Sequence, residues 1–219
     1  MVSEATIQIA YAGTLRYHDG GEEQTKSRFF AYQRQNINYN TRSGYFLFRA
    51  ISALHQAGKI NPKDLHVHLW GDIDPRNDQL AKDLGISEYI TISGFISKQE
   101  SMNLLAKADI LFLPAESAKK GQKPLFIPGK VYDYLRLGKP ILALMDESES
   151  REIVMKSGLG ILAHPSDIEE ISLVLLRLVD QKNQLAELCH PNQGYIDSFR
   201  METKTGELAA IFDEVLKQP

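Results

Sequence analysis

Lys130 and Asp133 stand three residues apart just after Pro128-Gly129, where the chain reads as the first turn of a helix. A helix start offers unpaired amides and the positive end of its dipole, so Gly129, Lys130 and Val131 could together hold an anion. Lys130 would add a full charge there. At i+3 the Asp133 carboxylate lies on roughly the same face, about 5–6 Å away between Cβ atoms, and when ionised it only accepts hydrogen bonds. The pair suits a diphosphate beside sugar hydroxyls, the spacing of one diphosphate-ribose unit. The competing reading is a surface ion pair worth about 0.2–0.5 kcal/mol.

Other loops offer groups of the same kind. Gly13, Thr14 and Arg16 follow an apolar run and could present amides, a hydroxyl and a guanidinium to a phosphate, although a Gly-Thr turn is commonly turn chemistry alone. Asp72, after Gly71, could accept from hydroxyls or cap a helix. Gly94, Phe95 and Ile96 could offer backbone groups and an aromatic face to a planar base, or simply make a structural turn. Glu116 stands in a loop with Lys119, Lys120 and Lys123, whose charge could draw in a diphosphate or merely be solvated. His66 and His68 share one face of a strand, but no third ligand at a suggestive spacing supports a metal site, and no metal is expected.

These residues converge only if the elements between them bring loop ends to one edge. Apolar runs of strand length at Thr6–Ala12, Leu65–Trp70, Tyr89–Ser93, Ile110–Leu113, Ile141–Leu144 and Gly160–Ala163 alternate with stretches of helical period. That order predicts an α/β fold, a Rossmann-like doubly wound parallel sheet of about six strands, whose ligands bind at strand C-termini. Leu47, Ala50, Ile51 and Leu54 form a helical stripe. Ser97 with Glu100, and Ser166 with Glu169, read as capping boxes, and Gly85, Gly138 and Gly158 as helix stops. A last helix, residues 202–216, carries Leu208, Ile211, Phe212 and Val215 on one stripe and is expected to pack across the domain. The stretch 17–41 is too long for an ordinary βα loop and reads as an insertion, either a surface excursion or a lid.

The chain has 219 residues, 43% of them hydrophobic, a net charge of -3 and a pI near 6.1. That is the make-up of a globular protein with no general attraction for nucleic acid or anionic membrane. Cys189 is the single cysteine, so no intrachain disulfide forms and a cytoplasmic setting is expected. No apolar run reaches membrane-spanning length, so any membrane contact would be peripheral. Neither G-x-G-x-x-G nor G-x-x-x-x-G-K-[ST] occurs, and the first strand lacks the acidic pocket of a phospho-receiver.

The run Pro128-Gly129-Lys130-Val131-Tyr132-Asp133-Tyr134-Leu135-Arg136-Leu137-Gly138-Lys139-Pro140 resembles the P-S-K-x-x-E-Y-x-x-x-G-K-P stretch of GT-B glycosyltransferases in the large retaining group 1 family. The likeness continues through Gly94-Phe95-Ile96, through Ala108-Asp109-Ile110-Leu111-Phe112-Leu113-Pro114 and through Gly158-Leu159-Gly160. It implies that residues 1–219 are the C-terminal, nucleotide-sugar-binding domain of a protein about twice this length. The N-terminal acceptor-binding domain, which often contributes a catalytic histidine, would be absent. The implied reaction is hexosyl transfer from a nucleotide-diphosphate sugar to a glycan or lipid-linked acceptor, as in polysaccharide biosynthesis, with retention and with no metal or other cofactor. This chain alone would bind donor weakly and turn over nothing. A non-catalytic nucleotide-sugar-binding module is the alternative.

Carried over residue by residue, the resemblance gives the diphosphate to Gly13, Thr14, Arg16, Arg42, Gly129, Lys130 and Val131, and the ribose to Asp133. The base falls to Gly94, Phe95 and Ile96, with Asp72 and Glu116 as further donor contacts. No catalytic residue is assigned. The chain departs from the pattern in four places: Leu125 stands where many relatives have a sugar-binding glutamate, Asp133 where glutamate is usual, Gly129 for serine, and Thr14 where arginine is often found. The resemblance leaves Arg16 and Arg42 as the candidate substitutes for the family's phosphate-binding arginine and lysine.

Overall fold

The computed structural model describes residues 6–17, 37–118, 124 and 126–217. Six parallel strands form the main sheet: β1 (Ile7–Leu15), β3 (Leu65–Ile73), β4 (Ile90–Ser93), β5 (Ile110–Pro114), β7 (Ile141–Leu144) and β8 (Gly160–Ala163). A separate antiparallel pair joins β2 (Ile37–Asn38) to β6 (Ser117–Ala118). The helices are α1 (Tyr45–Gln56), α2 (Arg76–Asp83), α3 (Lys98–Lys107), α4 (Lys130–Leu137), α5 (Glu149–Lys156), α6 (Ile168–Asp180), α7 (Gln193–Asp197) and α8 (Met201–Leu216).

The sheet order is β4-β3-β1-β5-β7-β8. The chain runs outward from β1 through β3 to β4, crosses back, and runs outward again from β5. The reversal lies between β1 and β5, which opens a crevice at their C-terminal ends. A parallel sheet covered on both faces needs apolar side chains in both directions, and β5 and β7 are buried at every position. One face packs Ile9, Val67 and Phe112 against α1, α2 and α6. The other packs Ala10, Leu111 and Ala143 against Leu105 of α3 and against α4, α5 and α7.

Local chemistry sets the helix ends. Ser97 Oγ accepts from the Glu100 amide at 3.1 Å and so caps α3. Gly138, at φ 62°, closes α4 in the left-handed conformation, and Gly85 and Gly158 likewise stop their helices. The cap of α6 lies one residue beyond its expected place. Asp167 Oδ1, not the Ser166 hydroxyl, accepts from the Glu170 amide at 2.9 Å, because Ser166 is turned toward His164 Nδ1. Within α4, Val131, Tyr134 and Leu135 are buried, and the Tyr134 hydroxyl donates to the Phe112 carbonyl at 3.1 Å. That bond fixes the rotation of α4 about its axis, leaving Lys130 and Asp133 toward the crevice.

Two further expectations are corrected. β1 and β3 run three residues further than their apolar runs, so Gly13-Thr14 and Gly71-Asp72 are strand residues in register, Gly13 opposite Gly71 and Thr14 opposite Asp72. A Cβ on Gly71 would lie 2.3 Å from the Gly13 carbonyl oxygen, so these glycines permit two backbones to approach rather than turn. The last helix does not pack across the domain. Every residue of α8 is exposed, its apolar stripe included; Thr203 Oγ1 donates to the Asp197 carbonyl, and Met201 and Glu202 border a hollow shared with α4. Residues 18–36 of the expected insertion, with Lys119, Lys120, Lys123 and Leu125, lie outside the described residues. No helix among the described residues is long and apolar enough to cross a membrane.

Candidate functional site

Lys130 is the first residue of α4, and its half-buried side chain reaches back to the end of β1. The ammonium lies 5.1 Å from the centre of the Tyr11 ring, a cation–π distance. It also passes so close over Gly13 that a Cβ there would meet Nζ at 2.2 Å. Gly13 is thus a strand glycine whose missing side chain makes room for a lysine from another element. Tyr11 is held from below, its hydroxyl donating to the Thr14 carbonyl at 2.8 Å, and burial pushes its phenol well above the usual range.

No salt bridge joins Lys130 to a carboxylate among the described residues. Burial lowers its ammonium pKa, and the positive charges of Arg42 and Lys98 lower it further, against the opposing pull of Asp133. A desolvated cation held in no salt bridge is costly in a purely structural role and suited to a bound anion. An anion would restore the lowered pKa. Binding is therefore expected to take up a proton at alkaline pH, and affinity to hold below the lowered pKa and fall as pH rises through it. Calorimetry in two buffers of different ionisation enthalpy measures that uptake. Stability has the opposite sense: below the lowered pKa the charged Lys130 costs folding energy, and this cost fades as pH rises toward the ordinary 10.5.

Arg42 arrives through the small β2–β6 pair. Asn38 pairs with Ser117, its side chain caps the 3-10 turn Tyr39–Arg42 at the Asn40 amide, and Thr41 Oγ1 accepts from the Ser117 amide at 2.8 Å. Arg42 Nη1 then meets Glu116 Oε1 at 2.5 Å, just beyond β5. Tyr11, Arg42, Glu116, Phe126, Pro128 and Lys130 line one pocket. A second cleft, about 280 Å³ and open to solvent, shares Lys130 and adds Gly13, Thr14, Asp72, Phe95, Ile96 and Asp133. Its size lies just under the ~300–1,000 Å³ usual for small-molecule sites.

Some of the expected residues stand apart. Arg16 lines neither hollow; its guanidinium pairs with Asp72 at 2.5 Å on the exposed rim. The Val131 amide donates to the Pro128 carbonyl at 2.9 Å, leaving the Gly129 and Lys130 amides as the α4 donors. The Gly94 carbonyl accepts from the Gly71 amide at 3.1 Å, which ties the turn after β4 to β3 and leaves Phe95 88% exposed over the cleft. Asp133 bonds not to Lys130 but, through Oδ2, to Lys98 at the start of α3.

Sequence reasoning missed Tyr11, Trp70 and Lys98. Tyr11 stands two positions before Gly13 and Trp70 directly before Gly71, so the strand ends named both as neighbours of the site. Nothing local marked Lys98. His66 and His68 are bonded to Thr91 Oγ1 at 2.8 Å and Gln8 Oε1 at 2.7 Å. No group of three or more His, Cys, Asp or Glu side chains that could hold a metal occurs among the described residues.

Comparison with known proteins adds a family to this geometry. The model of a family described as "Glycosyl transferases group 1" matches residues 35–181. An MMP alpha-(1->4)-mannosyltransferase from Mycolicibacterium hassiacum is 23% identical over 167 residues, 74% of this chain and 39% of that protein. Among solved structures, Anabaena Alr3699/HepE in complex with UDP and glucose is 15% identical with a TM-score of 0.62, over 95% of this chain and 48% of that one. Sucrose-phosphate synthase from Thermosynechococcus elongatus is 13% identical with a TM-score of 0.63, over 100% of this chain and 47% of that one. This chain therefore spans well under two thirds of the length of these proteins, and at such identities the structural likeness speaks to the fold alone.

Proposed function

Because the chain belongs to the group 1 glycosyl transferase family, we propose that it forms the donor-binding part of an enzyme that moves a hexose from a nucleotide-diphosphate sugar to a glycan or lipid-linked acceptor. The reading rests first on Lys130, whose partly desolvated ammonium has no carboxylate partner among the described residues and lies between Gly13 and Tyr11 where two hollows meet. A diphosphate there would place the sugar toward Arg42 and Glu116, and the ribose and base toward Asp133, Phe95 and Ile96.

In the transfer, the bond between the anomeric carbon and the terminal phosphate oxygen breaks with its electron pair staying on the diphosphate, while the acceptor hydroxyl oxygen bonds to that carbon and gives up its proton, for which the departing diphosphate is the nearest base. Lys130, the Gly129 and Lys130 amides and Arg42, once drawn from Glu116, supply fixed positive charge where that negative charge grows. Fixed cations at this point can do what a divalent ion does elsewhere, which favours a metal-independent reaction, and we take it to retain the anomeric configuration as the resemblance implies. The acceptor-binding half would lie outside this chain.

Calorimetric titration with UDP, GDP, ADP and CMP tests the donor site. Saturable binding of one nucleoside diphosphate in preference to the others is expected; no heat from any of them at millimolar concentration would sink the reading. Hexosyl transfer by this chain alone would contradict the assignment of the acceptor half to a separate region.

A further inference from the structure

Lys98 is a lysine in a place that local physics does not favour. It is the first residue of α3, at the positive end of the helix dipole, where an acidic residue is the stabilising choice. Its side chain is 70% exposed, yet the ammonium is held against Asp133 Oδ2, and Asp133 is 33% exposed. An exposed ion pair of this kind contributes little to stability, so the fold gains almost nothing from a contact that joins α3 to α4 across the cleft. Asp133 Oδ1 has no hydrogen-bond partner among the described residues. Lys98, Asp133 and Lys130 line the same cleft with Trp70, Phe95 and Ile96.

We propose that Lys98 and Asp133 act together as a reader of vicinal hydroxyls, which makes Lys98 a specificity-determining residue for ribonucleotide over deoxyribonucleotide donors. The inference rests on the nucleotide reading of the site given above. Each hydroxyl of a vicinal diol both donates and accepts. A lone carboxylate satisfies only the donor side of such a pair. Here the free oxygen of Asp133 accepts from one hydroxyl while the ammonium of Lys98 donates to the oxygen of its neighbour. The ion pair also restricts the carboxylate to one orientation, which lowers the ordering cost of binding. A site built around two polar groups rejects a ligand that lacks their partners, because both are then left unmatched in the complex.

The test compares UDP, GDP and ADP with their 2′,3′-dideoxy counterparts, by calorimetry, on the native chain and on Lys98→Met, which keeps the aliphatic stem and removes the charge. The native chain is expected to prefer the ribo form of the diphosphate it binds. In Lys98→Met that preference should shrink about three- to tenfold, the loss expected for one charge-assisted hydrogen bond in a wet site. The change should come from weaker ribo binding, with the dideoxy affinity altered less than about twofold, and Lys98→Arg should recover part of it. An unchanged preference would refute the proposal. An equal fall for both forms would refute it too, showing that Lys98 serves the phosphates or the fold. A native chain that binds none of the six diphosphates would instead defeat the nucleotide reading, and this inference with it.

Discussion

Lys130→Ala is expected to weaken nucleoside diphosphate binding by about 10- to 150-fold, the range for losing a hydrogen bond to a charged group, while leaving the thermal midpoint unchanged or slightly raised. The two parts of this result come from one observation. The native ammonium is desolvated, lies near Arg42 and Lys98, and has no carboxylate partner among the described residues, so its removal relieves the free protein of a cost. The same ammonium is the group placed nearest the expected diphosphate. In a chain that includes the acceptor half, the loss in turnover should be larger, about 10²- to 10³-fold, since charge on the departing diphosphate grows toward the transition state. Lys130→Met separates charge from packing, because its stem still covers the Tyr11 ring. Calorimetry with a parallel melting curve checks both parts; undiminished affinity in Lys130→Met would remove Lys130 from the site.

Gly13→Ala should be nearly as damaging by a different route. At φ 146° the backbone lies where an L-residue is strained, which costs about 1–3 kcal/mol. The new methyl would also stand 2.2 Å from Lys130 Nζ and 2.5 Å from Cε, so the ammonium must move. Stability falls through the backbone and binding falls through the displaced lysine. A double-mutant cycle distinguishes them: in the Lys130→Ala background, Gly13→Ala should still lower the melting temperature but take almost nothing more from affinity. Additive losses in affinity would mean that Gly13 contacts the ligand by itself.

Most of the sheet was legible because a strand covered on both faces must be apolar at nearly every position, as in Ile110–Pro114 and Ile141–Leu144. The ends of β1 and β3 were not. Gly13-Thr14 and Gly71-Asp72 are turn formers by composition, and only the pairing of Gly13 with Gly71 shows that their lack of a side chain serves a close approach between strands. The β2–β6 pair has two residues per strand, too few for a period, so the route that carries Arg42 to Glu116 could not be read. Lys130 and Asp133 were visible through their spacing on one helix, but the partner of Asp133 was not, because Lys98 is 35 residues away in sequence and nothing in its surroundings refers to α4. The stripe of α8 was read correctly as a pattern. A pattern states which face is apolar and not what lies against it.

The pairing of charges around the cleft bears on how a ligand arrives. Arg16 faces Asp72, Arg42 faces Glu116 and Lys98 faces Asp133. Beyond a Debye length, about 8 Å at physiological ionic strength, each couple cancels. Among these groups Lys130 alone contributes a net charge to the far field, and the protein as a whole carries -3. A diphosphate approaching this edge is barely steered, so its encounter is set by diffusion and orientation rather than by attraction. Paired groups of this kind would act only at contact, Arg42 by leaving Glu116 and Lys98 while still held by Asp133, which would place discrimination in the lifetime of a complex rather than in the rate of its formation.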